Sequence, residues 1–219
     1  MLVERRRAEA LASAAIVGAE YTFMGIPDGE VYVNQEVTEN MIRLIRLFGP
    51  AGQGPDLVLL NRPTDYHRDH RYTAQIVLDA TYMLTVPPMC PDTRHLDRMP
   101  VFAYWHDYFT EGGTFRADVV VPIDSSIETK IDMACKHESQ YFEWLPFNAG
   151  KLDGFPRDSN GRRTHLSNWY KDSAYMCREK FADRLLDQSS KYAEAFQISE
   201  YGRRPDPDEL RKLFPIEDQ

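Results

Sequence analysis

Pro55-Asp56-Leu57-Val58-Leu59-Leu60, a break at Arg62-Pro63, and then Asp65-Tyr66-His67-Arg68-Asp69-His70: this stretch decides the fold. A short apolar run bounded by breakers reads as a buried strand. A helical pattern begins near His70, carries Val77, Ala80, Thr81 and Leu84 on one face, and stops at Pro87-Pro88. Strand, polar turn and helix make a βα unit, with two histidines and two carboxylates crowded into the turn. Open α/β sheets bind their ligands at the carboxyl ends of strands, which is where this turn falls.

Upstream, Ala8, Leu11 and Ala15 repeat at helical spacing, and Gly18 is a natural stop. Glu20 to Met24 reads as a short strand and Pro27-Asp28-Gly29 as a turn. Val37, Met41, Leu44, Ile45 and Phe48 mark the face of a second helix. Downstream, residues 87–100 are proline-rich loop, and Val101–Trp105 and Ala117–Val121 are strands. Asp124-Ser125-Ser126 caps a helix carrying Ile127, Ile131, Ala134 and Tyr141. Residues 143–165 read as a long loop, Leu166 to Asp187 as a helix, and Tyr192, Phe196 and Ile198 as a last strand. The charged tail from Arg203 reads as peripheral. Alternating helices and strands predict an α/β fold with a largely parallel sheet.

A chain of 219 residues fits one domain with a real core, and 42% apolar residues argue for a globular protein. The net charge of −8 disfavours nucleic-acid and anionic-membrane partners. Cys90, Cys135 and Cys177 lie far apart without a CxxC pair, which points to a reducing cytosol rather than a disulfide framework or zinc ribbon. No apolar run reaches the length of a membrane span, and no secretory signal opens the chain. A cytoplasmic protein is the expectation. Oligomeric state is not legible, and a homo-oligomer stays open.

His67 and His70 stand three apart, so both fall on one side of a helix's first turn. Neutral imidazole is a common zinc ligand, and a second imidazole beside a metal can steady an oxyanion or protonate a leaving group. Asp65 or Asp69 can orient such a ring. The alternative is a pair of surface histidines in a polar cap. His137, at helical spacing with Lys130, Ala134 and Tyr141, is either packed among its neighbours or lines a pocket. Tyr141, Phe142, Trp144 and Phe147 are core packing or a sugar-stacking wall.

The run from Pro55 to Arg71 resembles the second motif of the PIG-L (LmbE-like) deacetylases, zinc hydrolases of N-acetylglucosamine-type substrates. Arg5-Arg6-Arg7-Ala8-Glu9-Ala10, Pro27-Asp28-Gly29, His137-Glu138-Ser139-Gln140, Tyr192–Phe196 and Tyr201-Gly202-Arg203 agree with it in order. The resemblance implies a Rossmann-like three-layer sandwich, His70 as a zinc ligand, His67 as oxyanion stabiliser or acid, and Asp69 tuning His67. It implies that Arg6 contacts substrate. Asp65, Tyr66 and His137 join Arg6 as candidate substrate-binding residues, and Asp65 stands where some members carry an assisting tyrosine. One departure is large. The family's first strand ends in His-Pro-Asp-Asp, which supplies two metal ligands and the general base, and this sequence lacks that motif. The resemblance therefore implies a first strand-helix-strand unit missing and an open slot in the sheet. Three expectations follow: a deacetylase whose leading segment is missing through a misplaced start or a truncation, a non-catalytic carbohydrate- or partner-binding remnant, or a domain completed by a partner or second copy. On the first, adding the segment restores metal binding; in each, these residues alone hold zinc weakly and hydrolyse N-acetyl sugars negligibly.

Overall fold

The computed structural model describes residues 1–214. In chain order the elements are α1 (Leu2–Ile16), α2 (Gln35–Leu47), β1 (Leu57–Leu60), α3 (Arg68–Met83), β2 (Val101–Trp105), β3 (Val119–Pro122), α4 (Ile127–Ala134), α5 (Leu145–Asn148), α6 (Ser159–Lys180), β4 (Ala193–Ile198) and α7 (Pro207–Leu213). The backbone clusters into two compact units, one of Met1–Gly25, Pro122–Ala182 and Gln188–Ala193, the other of Ile26–Val121, Asp183–Asp187 and the chain from Glu194 onward.

The second unit holds the sheet, in the order β1-β2-β4-β3. Leu57 to Leu60 pair in parallel with Val101 to Tyr104, and β4 runs antiparallel to β2 with Ile198 opposite Ala103. The α/β class stands as the sequence predicts, with helices on the sheet, and the sheet is mixed because its last strand runs antiparallel. Strand alternation sorts the side chains. Leu60, Phe102 and Tyr104 pack with Ile42, Ile45, Val77 and Leu84 under α2 and α3. Ala103, Val119 and Phe196 pack on the opposite face with Phe214, beside Leu210 and Leu213. The tail from Arg203 is thus not peripheral. Asp206 caps α7 by accepting from the Glu209 amide, Pro207 starts the helix, and Phe214 is buried against Phe196 at 5.0 Å between rings. Gly202 lies so close to Phe102 that an added Cβ would sit 2.6 Å from its ring, which explains a glycine there.

β1 is an edge strand, and among the described residues no strand pairs with its outer side. Residues 20–24 form no strand; Tyr21, Phe23 and Met24 are exposed. A strand exists only with a ladder partner to take its amides and carbonyls, and the described residues give this segment none.

In the first unit, Ile127, Ile131, Phe142, Leu166 and Ala174 form the core. The stretch read as a loop over 143–165 is largely helical: a wide turn at Ser139–Trp144, α5, and the start of α6. Asp158 begins α6 seven residues before the expected Leu166, because its carboxylate accepts from the Gly161 amide at 2.8 Å.

Candidate active site at the start of helix α3

The site is built where β1 hands over to α3. His67 is the N-cap of α3: its backbone is extended, and its Nδ1 accepts from the Asp69 amide at 3.2 Å. Asp65 sits beneath it. One carboxylate oxygen accepts from the His67 amide at 2.7 Å, and the other lies 3.1 Å from His70 Nδ1. Arg71 donates to the Asp65 carbonyl at 2.6 Å. The two imidazoles stand 4.9 Å apart, centre to centre, tilted by 38°. Tyr66 is exposed and presents its ring edge-on to both, at 5.9 and 6.0 Å. His67 and His70 are thus brought side by side, as their spacing predicts.

Asp69 is placed differently from its expected role. Its carboxylate is buried and accepts from the Gly29 amide at 2.6 Å; what meets His67 is its backbone N–H. Gly29 has φ +84°, which suits glycine and makes Pro27-Asp28-Gly29 more than a bare turn. Arg68 completes the latch. It donates to the Gly29 carbonyl and to Tyr32 Oη, and lies over the Tyr32 ring at 4.5 Å. The 27–32 loop is thus tied to the first turn of α3.

A cleft of about 730 Å³ opens between Thr64, Asp65, Tyr66 and Arg71 on one side and Tyr108 to Gly112 on the other. The far wall is held by Arg62, which is buried, grips both oxygens of Asp107 at 2.8 and 2.5 Å, and donates to the carbonyls of Phe109 and Gly113. The sequence reading marks residues 87–100 and 143–165 as the long loops. It missed 107–113, whose signal was the Gly112-Gly113 pair and a carboxylate, Asp107, matching the breaker arginine.

Arg6 and His137 belong to the first unit. There Glu9 accepts from the Ser139 amide at 3.0 Å and its hydroxyl at 2.6 Å, and pairs with Arg5 at 3.1 Å. Two of the stretches that resemble the family are thereby joined. Burial pushes the His137 imidazole below its ordinary value, with Glu9 opposing and Arg6 adding to the shift. Arg6 Nε is buried without a hydrogen-bond partner among the described residues.

The model of the family PIG-L: GlcNAc-PI de-N-acetylase matches residues 1–81, which hold α1, the Gly29 turn and the whole Asp65–His70 motif. This supports a PIG-L family member. No curated protein matches the chain. Among solved structures, N,N′-diacetylchitobiose deacetylase from Pyrococcus horikoshii is similar over 91% of this chain and 65% of its own, at 20% identity and a TM-score of 0.65. GalB, the 4-carboxy-2-hydroxymuconate hydratase of Pseudomonas putida KT2440, is similar over 93% of this chain and 74% of its own, at 17% identity and a TM-score of 0.64. The conserved protein TT1542 from Thermus thermophilus has a TM-score of 0.61 at 17% identity, over 93% of this chain and 76% of its own. Such likeness shows the fold. A deacetylase and a hydratase share it, so the reaction must be argued from the site.

PIG-L proteins are in general metal-dependent hydrolases. Among the described residues no group of three His, Cys, Asp or Glu side chains converges to hold a metal ion. A catalytic zinc site takes three protein ligands, so these residues do not make a complete one. Among the described residues, too, no helix is long and apolar enough to cross a membrane.

Proposed function

We propose that this chain is a PIG-L-type hydrolase for an N-acetylglucosamine-like substrate, a small acetylated amino sugar in the cytoplasm, and that it acts as one domain. In this reading zinc is the metal, His70 one of its ligands, and His67 the group that steadies the acyl oxygen. The observation that carries it is the pair of imidazoles 4.9 Å apart at the start of α3; their neighbours Asp65, Tyr66 and Arg71 line the cleft. With one ligand in hand, no catalytic step is assigned to zinc, and these 219 residues are expected to bind it weakly and to release acetate negligibly. The alternative is a non-catalytic carbohydrate- or partner-binding remnant, in keeping with the lack of a three-donor group among the described residues.

Zinc titration and an acetate-release assay on an N-acetylglucosamine conjugate test the reading. His70→Ala should remove whatever zinc binding the chain shows, and unchanged binding would overturn the ligand assignment. Acetate release at ordinary enzyme rates would overturn the expectation of inactivity. Sugar binding indifferent to zinc and to His70→Ala would favour the remnant.

A further inference from the structure

The cleft lined by Asp65, Tyr66 and the 108–112 wall is larger than one sugar ring requires. At about 730 Å³ it falls in the range that holds drug-sized ligands, roughly 300–1,000 Å³. Its lining is particular in two respects. The first is aromatic. The Phe109 amide donates to Asp107 at 2.9 Å and the Phe109 carbonyl accepts from Arg62 at 2.7 Å, so the backbone under this ring is fixed from both sides. Tyr66 meets Phe109 at 6.4 Å between ring centres, tilted by 41°. The same Tyr66 stands 5.9 and 6.0 Å from the imidazoles of His67 and His70, and so joins the cleft to the imidazole pair. A pyranose has an apolar face of C–H groups that packs on aromatic rings, and a rim of hydroxyls that needs polar partners. Thr110 and Glu111 follow Phe109 in the lining and offer a hydroxyl and a carboxylate to that rim.

The second respect is charge. Asp65 and Glu111 set two carboxylates in the lining against one cation, Arg71, which already donates to the Asp65 carbonyl at 2.6 Å. An anionic group entering the cleft meets a net like charge, which works against its binding. We propose that this cleft is a subsite for a second, uncharged sugar ring joined to the acetylated one, with Phe109 as the surface it stacks on and Glu111 turning anionic conjugates away. Phe109 and Glu111 are then specificity residues, and Arg62 and Asp107 position the first of them. The inference rests on the reading above in placing the acetylated ring at His67 and His70; the cleft itself calls for no metal.

The experiment is a ligand-observed NMR titration of the 219-residue chain, without zinc and at low salt, where charge effects are least screened. Three probes are used: N-acetylglucosamine, its uncharged β-1,4-linked disaccharide, and a disaccharide of the same size whose second ring is glucuronic acid. The uncharged disaccharide should bind at least about fivefold tighter than the single ring, the scale of one aromatic stacking contact. The glucuronic acid disaccharide should bind several-fold weaker than the uncharged one. Phe109→Ala should bring the uncharged disaccharide down to the level of the single ring and leave the single ring unchanged, while Glu111→Gln should narrow the gap between the two disaccharides. Equal affinity for one ring and two, an equal loss for both in Phe109→Ala, tighter binding of the glucuronic acid disaccharide, or no binding of any probe overturns the inference. Should Phe109→Ala not fold, Phe109→Leu, which keeps an apolar side chain without the ring, and the three-probe comparison decide it. His70→Ala should leave the preference for two rings intact. A chain that releases no acetate yet prefers the uncharged disaccharide removes the hydrolytic reading and leaves the subsite standing; an active chain that binds one ring as well as two does the reverse.

Discussion

The two ends of helix α3 solve the same problem in opposite ways. At its start, unpaired amides are met by His67 and Asp65, whose ring partners stay half in water; the His70 side chain is 46% exposed. At its end, Arg46 reaches across from α2 and is only 1% exposed. Its guanidinium donates to the carbonyls of Met83 and Leu84, and to those of Val86, Met89, Cys90 and Thr93 in the turn beyond. Burial lowers its pKa, while Cys90 and Asp92 oppose the shift. A cation at the negative pole of a helix, saturated with carbonyls, is structural. Polar groups left partly in water are available for chemistry. The comparison teaches that polarity alone does not mark a site; what matters is whether the outer atoms of the group are already satisfied.

That contrast can be broken in order of expected size. Arg46→Met keeps the apolar stem but removes a donor shared by six carbonyls. Those of Met83, Leu84, Val86 and Cys90 also accept from backbone amides, and losing the donor to the other two should cost roughly 2–5 kcal/mol. That is a large part of a domain's stability, and urea denaturation would read it; a loss under about 1 kcal/mol would refute the structural role. Arg62→Ala removes the clamp on Asp107 and should cost roughly 2–4 kcal/mol, with faster proteolysis of the 107–113 wall as the local sign. His67→Ala should cost about 0.5–2 kcal/mol as a lost N-cap, while His67→Asn restores most of it. The asparagine variant separates cap from chemistry, since it supplies no ring N–H. His70→Ala should change the denaturation midpoint least, by about 0.5 kcal/mol or less, because its ring is half exposed.

The first unit sharpens the comparison through pH. Burial holds the His137 imidazole below its unfolded value, so the unfolded chain binds more protons in the window between the two. Stability therefore rises with pH through that window and is lost as pH falls beneath the ordinary imidazole value of about 6.5. His137→Gln should flatten that acid-side slope in thermal melts, and an unchanged slope would assign it to other groups.

Much of this was legible in the residues. The limits of β1 and β2 fall where the apolar runs predicted them, and the two histidines meet because three residues on a helix is a short distance. Arg46 was not legible as a core residue, since a charge four positions after Ile42 reads as the rim of a stripe. Phe48, read as part of the buried face of α2, lies past its end and is 59% exposed. The 143–165 stretch reads as loop by composition, yet Asp158 capping α6 and Pro146 starting α5 are helix signals in the same residues. Glu20 to Met24 shows the converse failure. A strand pattern names a willing segment, but the partner that makes it a strand lies elsewhere in the chain.

The sequence by itself determined a βα unit with two imidazoles at its turn, because apolar period and short-range spacing are local properties. Only the tertiary structure decided that Asp69 turns its carboxylate to the Gly29 amide while Asp65 takes the His67 amide. A hydrogen bond depends on angle and distance between groups, and neither exists until the turn has closed.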